Sequence, residues 1–583
     1  MASLNSRFYA LDMLKGIAIL AVVLYHLGVM KYGYLGVDVF LVVAGYLTTR
    51  TWENHKPNYG TFLLSRLTRL WPLAILATIA SLVGGYFCLL PQQFKNTSET
   101  ALGTLVFMNN VVQCITSSDY WNPSNDFKPL MHTWYIALLM QFYVIFPFIF
   151  IIAKYKKRTV IFLITLVGTI SLAMFLFPVM GKSQNFFYLP ARLFEFCAGA
   201  GLYYWQQNNN NIEKTQKSVF MIILLLLITM IAIGFDITIG SMRLLLTVTL
   251  SILLINIATR LRDGVEILPI LKPVTTLGIS SYSIFIWHQV IIAFYRNIVT
   301  SRITPQNYGF ILLLILCLLI GILSYRLMEQ PLNNWGSIKK RRLIVIACCS
   351  VSTFSIAIPA YKFYQQKGIV RDVPELAINK ERGEEAFKYN GRIDAMDKPF
   401  PNNKKTNVLV VGDSYARDWT NVLIEAGVDS IANISYHREV DDELYKRLKQ
   451  AASIFLVTCT PAFDQYSHAL PKMMECPNFW RVGVKHFGND INSIWFKQSQ
   501  WKPTDKYSVI IDKYWLNLNE DEQYAFAPRY INLLEAMRQS DGSIPAFVPN
   551  TNLLISYDGL HLSKAGACYL SHIIHPLQFL PLN

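Results

Sequence analysis

Lys339-Lys-Arg-Arg-Leu-Ile-Val-Ile-Ala-Cys-Cys-Ser-Val-Ser-Thr-Phe-Ser-Ile-Ala-Ile-Pro-Ala-Tyr361 divides the chain in two. Four adjacent cations precede an uncharged run, Leu343 to Tyr361, about as long as a helix that crosses the hydrocarbon of a bilayer. Beyond this run the chain turns polar for good. Before it, apolar runs recur at roughly 14–30, 34–49, 70–90, 133–153, 159–180, 189–205, 218–235, 242–258, 279–295 and 308–328. The 583 residues are 53% hydrophobic and only 16% charged, where soluble chains carry about 25% charged residues. A mean hydropathy of +0.31 says the same. The composition excludes a disordered chain and a fibrous repeat, and nine cysteines in 66.7 kDa are too sparse for a disulfide scaffold.

The predicted fold is an α-helical polytopic membrane domain of ten spans plus one linking span, followed by an α/β three-layer domain. The predicted boundaries are 1–335 for the membrane domain and 336–364 for the eleventh transmembrane helix. Residues 365–404 form a linker or an extension wrapped on the next domain, and 405–583 form the α/β domain. With a cytoplasmic N-terminus, the inside loops hold seventeen Lys and Arg and the opposite loops seven, as the positive-inside rule requires. Eleven crossings then place the C-terminal domain outside. No cleavable signal peptide is expected, because Lys15 interrupts the first apolar run. The formal charge of +15 is dispersed rather than gathered in a patch, so no nucleic acid partner is expected, and no metal. Cys88 with Cys114, and Cys459 with Cys476, lie on the outer side and are either oxidisable pairs or buried thiols.

In the tail, Asn407-Val-Leu-Val-Val411 reads as a buried strand, followed by Gly412-Asp413-Ser414 and a helix over 415–426. A Ser at a strand-to-helix turn projects its hydroxyl above the sheet edge, with helix N–H groups close to any oxyanion formed on it. Near the C-terminus, Asp558-Gly-Leu-His561 lets one short segment supply a base and the group that orients it. His561 would take the Ser414 proton and Asp558 would hold the imidazole tautomer. Strands at 453–457 and 481–484, with helices near 440–451 and 521–538, complete the α/β pattern. Residues 405–583 resemble the SGNH hydrolase/transferase family, whose Gly-Asp-Ser and Asp-x-x-His blocks match Ser414, Asp558 and His561. The resemblance implies a flavodoxin-like fold and offers Asn489, in Gly488-Asn489-Asp490, as an oxyanion donor.

In the membrane half, Lys15 and His26 stand eleven residues apart in the first span. That spacing puts both on one helix face, about 16 Å apart. An ionisable group within a span is a functional candidate by default. Arg66 and Arg69 lie one turn apart at the foot of the third span and, with Lys15, make a basic mouth suited to a multiply anionic ligand such as coenzyme A. A chain of strings resembles the acyltransferase-3 family of membrane acyltransferases: Leu14-Lys-Gly-Ile-Ala with Tyr25-His26, Gly36-Val-Asp-Val-Phe40, Arg66-Leu-Thr-Arg69, His132-Thr-Trp134 with Gln141-Phe-Tyr143, Arg192-Leu-Phe-Glu195, Trp287-His288 and Glu329-Gln-Pro331. The sequence departs from the family pattern at Lys15 (usually Arg), Leu139 (usually Glu) and Ala44 (usually Ser).

The resemblance implies a bacterial inner-membrane O-acyltransferase with a cytoplasmic N-terminus and a periplasmic SGNH domain, of the O-antigen (lipopolysaccharide) O-acetyltransferase type first and of the peptidoglycan type as the alternative. Cytoplasmic acetyl-CoA is the implied donor substrate, held by Lys15, Arg66 and Arg69. His26 is the implied base or transient acceptor within the bilayer, and Ser414 the final acyl carrier. Inner-membrane lipid surrounds the spans, and the acceptor is a surface polysaccharide or lipid-linked glycan. A degenerate membrane half anchoring an external esterase, and a transporter, are the alternatives at this stage.

Overall fold

The structure, a computed structural model, describes residues 8–116, 123–178, 185–208, 221, 223–225, 227–228, 240–260, 272–300, 303–304, 306, 308–335, 338–381, 384–459, 466–501 and 507–581. The chain falls into two compact units. One comprises Met1–Phe87, Asn96–Arg296 and Arg302–Gln365, the other Cys88–Lys95, Asn297–Ser301 and Gln366–Asn583.

The first unit is helical. Among the described residues, seven helices are long and apolar enough to cross a membrane: Tyr9–His26, Tyr59–Cys88, Thr133–Ile152, Lys157–Leu176, Ser241–Ala258, Tyr308–Trp335 and Lys339–Gln365. An eighth arises if Lys272–Ile279 and Ser281–Ile298, bent by 78°, are one broken span. Most of the predicted span at 218–235 lies outside the described residues. The predicted spans at 34–49 and 189–205 are the helices Gly36–His55 and Leu189–Asn208, which carry charge inside the bundle. Arg192 is fully buried between Asp38 of one helix and Glu195 of its own, so each charge has a partner away from water. The same two helices approach closely. A Cβ on Gly45 would stand 2.0 Å from the Phe196 carbonyl oxygen, and one on Gly199 2.0 Å from that of Val42. The helix Lys339–Gln365 exposes Phe354 (74%) and Ile358 (71%), the apolar surface a lipid-facing helix presents.

The second unit holds a five-stranded parallel sheet. Thr406–Gly412 lies between Ala432–His437 and Ser453–Val457, and Phe479–Val482 then Tyr530–Ile531 continue the sheet on the second side. Alternate residues of the central strand point to opposite faces. Val408 and Val410 join a core with Trp419, Val422 and Leu570, whereas Leu409 and Val411 join another with Leu444, Leu456 and Met473. Both faces are therefore covered, which gives the three layers and explains the unbroken apolar strand. Val373, Leu376, Ile378 and Ile393 of the 365–404 stretch are buried in the first core, so this stretch is an extension packed on the sheet.

The helix expected over 521–538 is two helices, Lys513–Phe526 and Leu533–Met537, separated by the strand Tyr530–Ile531. Pro528 supplies no N–H and disfavours helical geometry in the residue before it, which ends the first helix. All nine cysteines are free thiols, and Cys88, Cys114, Cys459 and Cys476 are each only partly buried, so these four are neither joined in pairs nor the fully buried thiols of the alternative reading.

Candidate active site

Strand order reverses at the central strand of the second unit, and loops at such a switch point diverge to leave a crevice. Ser414 sits there, the first residue of the helix Ser414–Glu425. Gly412 makes the turn possible: its φ is +143°, and a Cβ would stand 1.8 Å from the Val457 carbonyl oxygen. Asp413 fixes the helix start, accepting from Tyr415 N at 2.8 Å and from Cys459 N at 2.9 Å.

His561 Nε2 lies 2.9 Å from Ser414 Oγ, and His561 Nδ1 lies 2.8 Å from Asp558 Oδ2. The other oxygen of Asp558 accepts from the backbone N–H groups of Leu560 and His561, at 2.9 and 2.8 Å. Burial pushes the Asp558 carboxyl up, but His561 and these N–H groups outweigh it and hold the carboxyl well below the usual range. For His561, burial pulls downward and the Asp558 carboxylate more than restores it, leaving the imidazole raised. The structure thus brings Ser414, His561 and Asp558 together in one hydrogen-bonded array.

Sequence reasoning missed what holds this loop. Lys485 is buried and pairs with Asp418 at 2.8 Å, donates to Leu560 O at 2.5 Å, and lies 3.5 Å from the Tyr415 ring centroid. Asp418 also accepts from Leu562 N at 2.9 Å. The pair therefore grips the chain on both sides of His561. Asn489 follows Gly488, whose carbonyl oxygen lies 2.2 Å from where a Cβ on Gly559 would stand. Among the described residues no hydrogen bond joins Asn489 to Ser414 or His561, and at the helix start the Tyr415 N–H is taken by Asp413 Oδ1 and those of Ala416 and Arg417 by Asp413 O.

In the helical unit, Lys15, Arg66 and Arg69 line one cavity of about 110 Å³, together with Tyr135, Tyr282 and Phe285. Lys15 bonds Asp12 at 2.6 Å, Arg69 reaches Glu329 at 3.2 Å, and Ser283 donates to the second oxygen of Glu329 at 2.6 Å. The Arg66 guanidinium lies against the rings of Phe62 and Tyr143, with its Nε buried and without a hydrogen-bond partner. The break between Lys272–Ile279 and Ser281–Ile298 opens onto this cavity through Ser281 and Tyr282, the setting in which non-helical backbone is tolerated at membrane depth.

His26 ends the helix Tyr9–His26 and is buried. Its Nδ1 lies 3.5 Å from Asp126, which also binds Arg296, and Arg296 in turn donates to the His26 carbonyl at 2.7 Å. The His288 ring is 5.2 Å from that of His26 and 5.3 Å from that of His132. Phe285 touches both His132 and His288 and also lines the basic cavity. Asp126, Arg296 and the clustering of three imidazoles are contacts over a hundred residues or more, with no local signal in the sequence.

The profile of the acyltransferase domain matches residues 8–326. The chain belongs to the acyltransferase-3 family. It is 26% identical over 360 residues to the O-acetyltransferase OatA of Staphylococcus aureus (strain NCTC 8325 / PS 47), covering 56% of this chain and 57% of that protein. It is 25% identical over 357 residues to the peptidoglycan O-acetyltransferase OatA of Listeria monocytogenes serovar 1/2a, covering 57% of each. The chain thus spans little more than half the length of these relatives. No solved structure matches it. Lys15, Ala44 and Leu139, the three departures from the acyltransferase-3 pattern, all line the basic cavity.

Proposed function

We propose that this acyltransferase-3 protein moves an acyl group, acetyl by preference, from cytoplasmic acyl-CoA across the inner membrane to hydroxyls of a surface glycan. The single observation that carries the reading is the Ser414–His561–Asp558 array, 2.9 and 2.8 Å between partners, on a chain whose other half belongs to a membrane acyltransferase family. Donor and acceptor stand on opposite sides of a lipid barrier, and the chain carries one nucleophilic centre for each.

Lys15, Arg66 and Arg69 are suited to the phosphates of acyl-CoA, with Arg66 offering an unpaired buried N–H. His26, oriented by Asp126, serves as base or transient acceptor within the bilayer. In the SGNH-type domain His561 takes the Ser414 proton as Oγ attacks the acyl carbonyl, Asp558 stabilises the imidazolium, and His561 gives that proton to the departing carrier as the acyl–carrier bond breaks, which leaves the imidazole neutral. The sugar hydroxyl then attacks the acyl-enzyme. Its proton passes to His561 Nε2 and on to Ser414 Oγ as the carbonyl–Oγ bond breaks.

O-antigen is the acceptor our sequence reading favours. Peptidoglycan is the second reading, favoured by the name of the Listeria relative. NMR of surface glycan from a deletion strain complemented with wild type, His26→Ala or Ser414→Ala tests the proposal. Both variants should leave the glycan unacylated. Full acylation with either refutes the role of that residue, and a gain of glycan acetyl on deletion would make the protein an esterase.

A further inference from the structure

Arg417 lies three residues after Ser414 on the helix Ser414–Glu425, one turn on and on the same side as the nucleophile. Its Nε is buried and finds no hydrogen-bond partner. The carboxylates adjacent in sequence are engaged elsewhere: Asp413 caps the helix and binds Cys459 N, and Asp418 binds Lys485 and Leu562 N. Arg417 instead lines a cleft of about 310 Å³ in the second unit, with Lys95, Lys367, Asp394, Tyr557 and the catalytic Asp558 and His561. Asp558 is committed to His561 and to two backbone N–H groups, and the other carboxylate of the cleft is Asp394, against Lys95, Lys367 and Arg417 on its wall. Catalysis by the triad has no use for a cation at this place. A planar fork of N–H donors beside an acyl-transfer nucleophile is suited to a carboxylate or phosphate.

We propose that the cleft selects an acceptor glycan bearing an anionic group, carboxylate or phosphate, near the hydroxyl that is acylated, and that Arg417 holds that group. The inference rests on the reading of Ser414 as acyl carrier and adds the acceptor's chemical class. Arg417 takes no proton and forms no covalent bond. It fixes which hydroxyl stands before the acyl carbonyl, and a cleft of this size falls at the lower end of pockets that take small ligands.

The test uses the full-length protein in detergent with p-nitrophenyl acetate as donor. Oligogalacturonate is compared with a neutral galactose oligomer, and mannose 6-phosphate with mannose. Ester on each acceptor and acetyl on Ser414 are read by mass spectrometry. Wild type should acetylate at least one anionic acceptor at least tenfold faster than its neutral counterpart, and the arm that shows it assigns carboxylate or phosphate. In Arg417→Gln that ratio should fall toward one, while Arg417→Lys keeps part of it. The wild-type preference should also shrink as salt is raised, which reads the same contact without a variant. Acetyl-Ser414 with equal transfer to charged and neutral acceptors overturns the assignment of acceptor class alone, as does a preference that Arg417→Gln leaves intact. Failure of wild type to form acetyl-Ser414 overturns the underlying function as well.

Discussion

A carboxylate placed behind an imidazole changes the pH at which that imidazole can accept a proton. Asp558 raises the His561 pKa against the downward pull of burial, and His561 is a base only when neutral. Activity should therefore fall as pH drops through that raised value. Asp558→Asn should lower the His561 pKa, moving the acid limb to lower pH, while kcat drops by about 10²- to 10⁴-fold. A pH–rate profile of p-nitrophenyl acetate turnover checks both signs. Asp418→Asn should leave the buried Lys485 charge without its partner, at a cost of about 3–5 kcal/mol. Thermal melting of the purified protein would show it as a lowered Tm, and an unchanged Tm would contradict the clamp. Ser414, Asp558 and His561 were legible in the sequence because each lies in a short motif whose local geometry nearly dictates its role. Lys485, Asp418, Asp126 and Arg296 were not, because each works through a partner brought near only by the finished fold.

At the scale of elements, the strand, turn and helix around Ser414 form one unit whose weakest tolerance is at Gly412. Gly412→Ala combines an unfavourable φ, which alone costs about 1–3 kcal/mol, with a Cβ 1.8 Å from a backbone oxygen, so the turn must shift and displace the Ser414 hydroxyl. Loss of p-nitrophenyl acetate turnover in a protein that still melts cooperatively is the expected result. Apolar runs revealed the central strands, since both faces of the sheet are covered. The two-residue strand Tyr530–Ile531 escaped notice because so short a segment has no periodicity, and only pairing with Phe479–Val482 makes it a strand. The sharp bend at Ser280 was equally silent, because Lys272–Ile298 is apolar throughout much of its length and nothing in hydropathy marks a direction. In the helical unit, Gly45→Leu should abolish folding in detergent, since its Cβ would meet backbone that no side-chain rotation can clear. A monodisperse, heat-stable Gly45→Leu protein would contradict the close helix crossing.

For the whole molecule, composition and loop charge told of a membrane half and a polar tail, and the fold bears out helices in one and a parallel sheet in the other. The number of spans is less legible, because Gly36–His55 and Leu189–Asn208 bury an ion pair that hydropathy counts against them. The division of labour between the two units is the central claim. Full-length protein in vesicles, supplied with ¹³C-acetyl-CoA on the cytoplasmic face and digested for mass spectrometry, tests it directly. The account predicts labelled acetyl on Ser414 in wild type, none on it in His26→Ala, and normal acetylation of Ser414 in His26→Ala when p-nitrophenyl acetate is offered instead. Labelled Ser414 in His26→Ala, or no label on Ser414 in an active wild type, would contradict it.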